Sequence, residues 1–60
     1  MEGTKEIQLL NKGKELFQKN ILKQALSVLE EVIEVNPKNS EAYFLIGNIF
    51  HIKGQLGKAI

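Results

Sequence analysis

Cysteine is absent from the 60-residue sequence, which excludes a disulfide framework and a thiolate metal site and agrees with a reducing compartment. Arginine and aspartate are missing too, since all eight cations are lysines and all seven anions are glutamates. Arginine is the side chain expected at bidentate phosphate contacts, so its absence weighs against nucleic-acid readout. Lysine and glutamate are good helix formers with long solvated side chains, and they point to exposed helical faces. No run of about 18 apolar residues is present to span a bilayer. The opening Met-Glu-Gly-Thr-Lys-Glu lacks the basic start and apolar run of a secretory signal. A cytoplasmic protein with no membrane partner is expected. A net charge of only +1 names no partner of opposite sign.

What is there reads as helix. Three amphipathic patterns and the start of a fourth are punctuated by Gly, Asn or Pro. The first runs from about Thr4, a predicted N-cap, to Lys19, with Leu9, Gly13 and Leu16 on one face. The second, from about Ile21 to Val35, carries an apolar stripe of Leu22, Ala25, Leu26, Leu29, Val32 and Ile33. It ends at Asn36-Pro37, because the residue before proline is pushed out of the α region and proline has no N–H to donate. The third begins near Asn39 or Ser40 and reaches Lys53, where Gly54 permits a tight turn. Leu56 to Ile60 then opens a fourth helix. Strand alternation is nowhere visible, and the short links make consecutive helices antiparallel neighbours. The fold class is all-α, in one unit over residues 1–60, and a domain this small is marginal alone.

The chain also matches itself at an offset of 34 residues. Leu9 falls on Tyr43, Gly13 on Gly47, Leu16 on Phe50, Asn20 on Gly54, Leu22 on Leu56, Ala25 on Ala59 and Leu26 on Ile60. A mid-helix glycine costs about 1 kcal/mol relative to alanine, and the expected offset is close approach of the partner helix, with Ala25 and Ala59 as the matching contact points.

A helix–turn–helix unit of this period carrying these residues resembles the tetratricopeptide repeat family. In the second copy Tyr43 stands where the family often has Trp, Ile46-Gly47 matches its Leu-Gly, and Phe50 matches its Tyr. In the first copy Gly13, Leu16, Ala25, Leu29 and Pro37 match, while Leu9, Lys12 and Asn20 depart from the pattern. Asparagine tolerates the left-handed conformation that the family's inter-helix glycine adopts. Lys12 suits an outermost repeat, with its stem on apolar surface and its amine in water. The resemblance covers about residues 6–60 and implies a right-handed solenoid, with one repeat over about 6–39 and an incomplete second over about 40–60, cut from a longer protein.

It further implies a protein-interaction scaffold whose concave face is lined by the first helix of each repeat. At about 100° per residue, the side of the first helix opposite Leu9 and Gly13 carries Ile7, Leu10, Lys14, Phe17 and Gln18. The corresponding residues of the third helix are Glu41, Phe44, Asn48, His51 and Ile52. The candidate partner-binding set is therefore Ile7, Leu10, Lys14, Phe17, Phe44, Asn48, His51 and Ile52, suited to an apolar or amphipathic peptide with a few polar anchors. Some of these side chains, Leu10 and Phe44 above all, could instead pack helix on helix, whereas Phe17 and Ile52 lie near helix ends and are the better contact candidates. The subgroup of the family that clamps chaperone C-termini uses lysine and asparagine on its first helices. Here the corresponding places hold Leu10, Lys14 and Leu45, which does not support the clamp.

Other chemistries find little to work with. His51 is the only histidine, and no glutamate pair joins it in a metal-binding spacing, so no metal or cofactor is expected. Glu30, Glu31 and Glu34 read as a solvated helix face rather than an acid pair. Gly54-Gln-Leu-Gly57-Lys58 has too few residues between its glycines, and no preceding strand, for a phosphate loop. No enzyme activity is expected. Lys5, Lys12, Lys19 and Lys23 are interrupted by Glu2, Glu6 and Glu15, which disfavours a nucleic-acid stripe. The alternative to partner binding is self-association. Ala42 to Ile52 is apolar nearly all round, and a helix with one side uncovered is expected to dimerise through that side and the C-terminal end.

Overall fold

A computed structural model describes the backbone of residues 2–58 and the side chains of residues 4–54. Among these residues the chain is all-α, with helices α1 (Glu2–Gln18), α2 (Leu22–Val35) and α3 (Ser40–Lys58). Helix α2 packs against both others, and α3 also touches α1.

The two links explain why the helices turn back on one another. Asn20 has a φ of 63°, the left-handed conformation expected of it. Its N–H donates to the Phe17 carbonyl at 3.0 Å, and the Ile21 N–H reaches the Leu16 carbonyl at 2.9 Å. That is the Schellman pattern, which satisfies two carbonyls the end of α1 would otherwise leave open. At the second link Asn36 is extended, as a residue before proline must be, and its N–H closes α2 on the Val32 carbonyl at 2.8 Å. The Asn36 side-chain oxygen accepts from the Lys38 N–H at 3.1 Å. Asn39 then caps α3, its side-chain oxygen accepting from the Ala42 N–H at 2.9 Å.

Three expected boundaries are corrected. Thr4 lies inside α1, which begins at Glu2, and so is not its N-cap. Ile21 precedes α2, occupying the N-cap position without a side-chain cap. The turn at Gly54 does not form, because α3 runs through Gly54 to Lys58 and Gly54 keeps a negative φ. Glycine permits a turn without enforcing one. A turn here needs the apolar contacts of a returning helix to outweigh the helical hydrogen bonds it breaks, and none is among the described residues. The expected fourth helix is thus replaced over Leu56–Lys58 by α3 itself, and its last two positions, Ala59 and Ile60, lie outside the described residues.

The core is Leu16 from α1, Ala25, Leu29 and Val32 from α2, and Ala42, Leu45 and Ile49 from α3, with Leu9, Leu10, Phe17, Leu22, Leu26, Val28, Ile33 and Ile46 packed around it. Glu30, Glu31 and Glu34 face solvent, as their spacing predicts. Gly13 is buried where α2 comes closest: a Cβ built on it would stand 2.6 Å from Leu29 Cδ2 and 2.8 Å from Leu29 Cγ, with Val28 next at 3.7 Å. The close approach is as expected, but the side chain filling it is Leu29 rather than Ala25. The short link at residues 19–21 sets an antiparallel register that keeps Ala25 nearer the link and brings Leu29 level with Gly13.

The 34-residue correspondence separates the faces of α1 and α3. The α3 residues turned inward, Ala42, Leu45, Ile46 and Ile49, correspond on α1 to Gln8, Asn11, Lys12 and Glu15, all of them exposed. The outward side of α1 is therefore polar, and offers no apolar surface to another helix. Lys12, the departure from the family pattern, belongs to that solvated side.

A polar clamp ties the start of α1 to the second link. Glu6 Oε2 accepts from Asn36 Nδ2 at 2.8 Å and from Asn39 Nδ2 at 2.6 Å, in a part-buried setting. Asn39 thus uses its oxygen to cap α3 and its nitrogen to hold α1. Asn39→Ala removes both, so it should lower stability by about 1–2 kcal/mol. The expected readout is a lower urea midpoint with unchanged slope, and an unmoved midpoint would mean that water replaces both bonds at no cost.

Candidate functional site

Of the expected binding residues, Ile7, Leu10, Lys14 and Phe17 belong to α1 and Phe44, Asn48, His51 and Ile52 to α3. The seam between them is bridged by an ion pair from Lys14 Nζ to Glu41 Oε2. A side chain on a helix leans toward the helix N-terminus, which lets the Lys14 ammonium reach back to the first turn of α3.

Exposure divides the set. Phe44 is 67% exposed and Ile7 58%, a large apolar group at the surface on each helix. Leu10 and Phe17 are half-buried and pack against the core. Asn48 and Ile52 are half-buried, and His51 is exposed. Of the pair most open to a packing role, Leu10 is committed to the interior while Phe44 is not. Phe17, placed by its helix-end position among the better contact candidates, has much of its ring spent on the core.

The set is close to neutral. Lys14 is its cation, and Glu41 already answers it across the seam. An exposed pair of this kind contributes under about 1 kcal/mol to stability, and it answers the Lys14 charge within the chain. Glu6, Asn36 and Asn39 tie α1 to the link before α3 and were not singled out by sequence reasoning. The Asn-Pro-Lys-Asn turn is a local signal for the two asparagines. Their acceptor lies 30 and 33 residues away, where no periodicity marks it.

A second surface lies on α3. Tyr43 and Phe50, at 51% and 56% exposure, flank Gly47, and among the described residues no atom comes within 4 Å of a Cβ built there. The equivalent α1 residues Leu9, Gly13 and Leu16 are half-buried or buried under α2. No described helix is long and apolar enough to cross a membrane.

Two antiparallel helices followed by a third that repeats the first, with a glycine seat recurring at a fixed period, define a helical-repeat protein. A family model described as TPR repeat matches residues 13–54, and the chain belongs to the tetratricopeptide repeat family. The match begins at the occupied glycine seat and spans the open one. No curated protein and no solved structure matches the chain significantly. TPR repeats are in general protein–protein interaction modules without enzymatic activity of their own.

Proposed function

We propose that the chain is an interaction scaffold that takes an extended or helical segment of a partner protein along the α1–α3 seam, with Ile7 and Phe44 as apolar contacts and Lys14, Asn48 and His51 as polar ones. In this reading the repeats run over about residues 6–39 and 40–60, and the seam is the inner face between their first helices. The observation that carries it is the exposure of Ile7 and Phe44 beside Leu10 and Phe17, which resemble them chemically but are packed inward. Large apolar groups left at the surface on both sides of one seam are what a binding strip needs.

The test is selection of displayed peptides against the full chain, followed by affinity measurements on variants. Phe44→Glu should weaken the selected peptides about tenfold or more, because a contact aromatic is lost and a charge must be desolvated, while far-UV circular dichroism stays unchanged. Phe17→Glu should reduce helicity instead. Equal affinity for the wild-type, Ile7→Glu and Phe44→Glu chains would rule out the seam as the binding strip.

Self-association through α3, the alternative expectation, draws on the exposed Tyr43–Gly47–Phe50 face instead.

A further inference from the structure

We propose that Asn39 is a deamidation site that acts as a one-way latch: conversion of its side-chain amide to a carboxylate turns the Glu6 clamp from attraction to repulsion and frees the start of α1, while α3 stays capped.

Asn39 holds two places at once. Its Oδ1 accepts from the Ala42 N–H at 2.9 Å, which caps α3, and its Nδ2 donates to Glu6 Oε2 at 2.6 Å. Capping needs only the oxygen. Aspartate caps as well as asparagine does, and its charge suits the positive end of a helix. The bond to Glu6 needs the nitrogen. An ionised carboxylate only accepts hydrogen bonds, so an aspartate here would face Glu6 as acceptor against acceptor and charge against charge. Asn36 Nδ2 donates to the same Glu6 oxygen at 2.8 Å, and a Glu6 side chain that swings away from residue 39 therefore leaves Asn36 as well. All three residues are half-buried, where repulsion between like charges is screened less than at the open surface.

The sequence makes Asn39 the susceptible amide. Deamidation runs through a cyclic imide, formed when the backbone nitrogen of the following residue bonds the side-chain carbonyl carbon, and a bulky following residue obstructs it. The residues that follow the asparagines are Lys12, Ile21, Pro37, Ser40 and Ile49. Pro37 has no N–H to give up, so Asn36, the other amide of the clamp, lacks this route. Lysine and the two isoleucines hinder Asn11, Asn20 and Asn48, which leaves Ser40 as the one small neighbour. At Asn39 the Ser40 nitrogen loses its proton and bonds Cγ, and the side-chain nitrogen takes up a proton and departs as ammonia. Water then opens the imide to aspartate or isoaspartate, and either product carries a carboxylate. In the closed fold Ala42 and Glu6 pin the two ends of the amide, so imide formation waits for local opening of the link.

The test incubates the full chain in mildly alkaline buffer and follows it by peptide mapping with mass spectrometry. The mass gain of an amide-to-acid conversion should arise at Asn39 before Asn11, Asn20, Asn36 or Asn48. Glu6→Ala unpins the amide and should speed the conversion at least about threefold, the effect of losing one hydrogen bond. Asn39→Asp, the aspartyl product made directly, should unfold at a lower urea concentration than the parent with the same slope. Glu6→Gln in that background should restore the midpoint, since the new amide donates to the new carboxylate and its oxygen still accepts from Asn36, whereas in the parent chain the same change gains nothing. That restoration decides the matter should Asn39→Asp alone unfold. The proposal is overturned by deamidation first at another asparagine, by an unchanged rate in Glu6→Ala, by an Asn39→Asp midpoint equal to the parent's, or by a failure of Glu6→Gln to restore it.

Discussion

Leu29→Ala should leave the chain predominantly unfolded at 25 °C, with most of its helical circular dichroism lost. Leu29 is fully buried, and its branched end lies over Gly13, where no side chain exists to lean into the space left behind. Truncating a buried leucine costs about 2–5 kcal/mol, at the high end where the surroundings cannot collapse. A core in a chain of this size supplies no more than roughly 3–5 kcal/mol in total. The loss therefore rivals the whole stability, and helices this short do not persist in water without tertiary contacts. Glu30→Ala, one residue along on the solvated face, serves as the control and should stay within about 0.5 kcal/mol of the parent. Retention of the parental urea midpoint by Leu29→Ala would show that Leu29 does not anchor α1 to α2.

Alanine at the two repeat-related glycines should act in opposite directions. At Gly47 the added methyl meets nothing described within 4 Å, so the gain in helix propensity of about 1 kcal/mol is realised in full. For a domain of this size, that raises the melting temperature by about 4–8 °C. At Gly13 the same gain is opposed by a methyl group placed 2.6 Å from Leu29 Cδ2 and 2.8 Å from its Cγ. Leu29 is enclosed on all sides and can yield only by displacing its neighbours. Overpacking of this kind costs about 1–3 kcal/mol, so Gly13→Ala should be neutral at best and in most of that range destabilising. Thermal melts of the two variants check the sign directly. A Gly13→Ala chain as stabilised as Gly47→Ala would show that the close approach at Gly13 is not real.

The glycine contrast also marks how far the sequence could be read. The three-helix pattern, the left-handed Asn20 and the stop at Asn36-Pro37 follow from local rules, because each depends on the conformational habits of one or two residues. The repeat and the buried position of Gly13 follow from periodicity. Periodicity could not say which α2 side chain fills the Gly13 hollow, since that depends on the antiparallel register fixed by the length of the first link, and Ala25 was the wrong choice. Nor could it anticipate that α3 continues through Gly54. A glycine at a repeat-equivalent position adopts the turn only when the contacts of a returning helix outweigh the hydrogen bonds broken.

The candidate strip was legible to the same depth. Helical spacing put Ile7, Leu10, Lys14 and Phe17 on one face of α1, but spacing does not distinguish a side chain that projects from one that folds back onto the core. Leu10 and Phe17 do the latter, whereas Ile7 and Phe44 project. The Lys14–Glu41 pair and the Glu6 clamp join residues some thirty positions apart, and only the assembled fold brings them together.

Leu29 enters the hollow at Gly13, whereas at Gly47 nothing among the described residues comes within 4 Å of the matching position. A carbon-edited nuclear Overhauser spectrum of the full chain tests this directly. It should contain strong cross-peaks between the Gly13 α-protons and the Leu29 methyls, with no methyl cross-peak to the Gly47 α-protons from Ala25, Val28, Leu29 or Val32. Gly13 α-protons contacting Ala25 alone, or no α2 methyl at all, would contradict it.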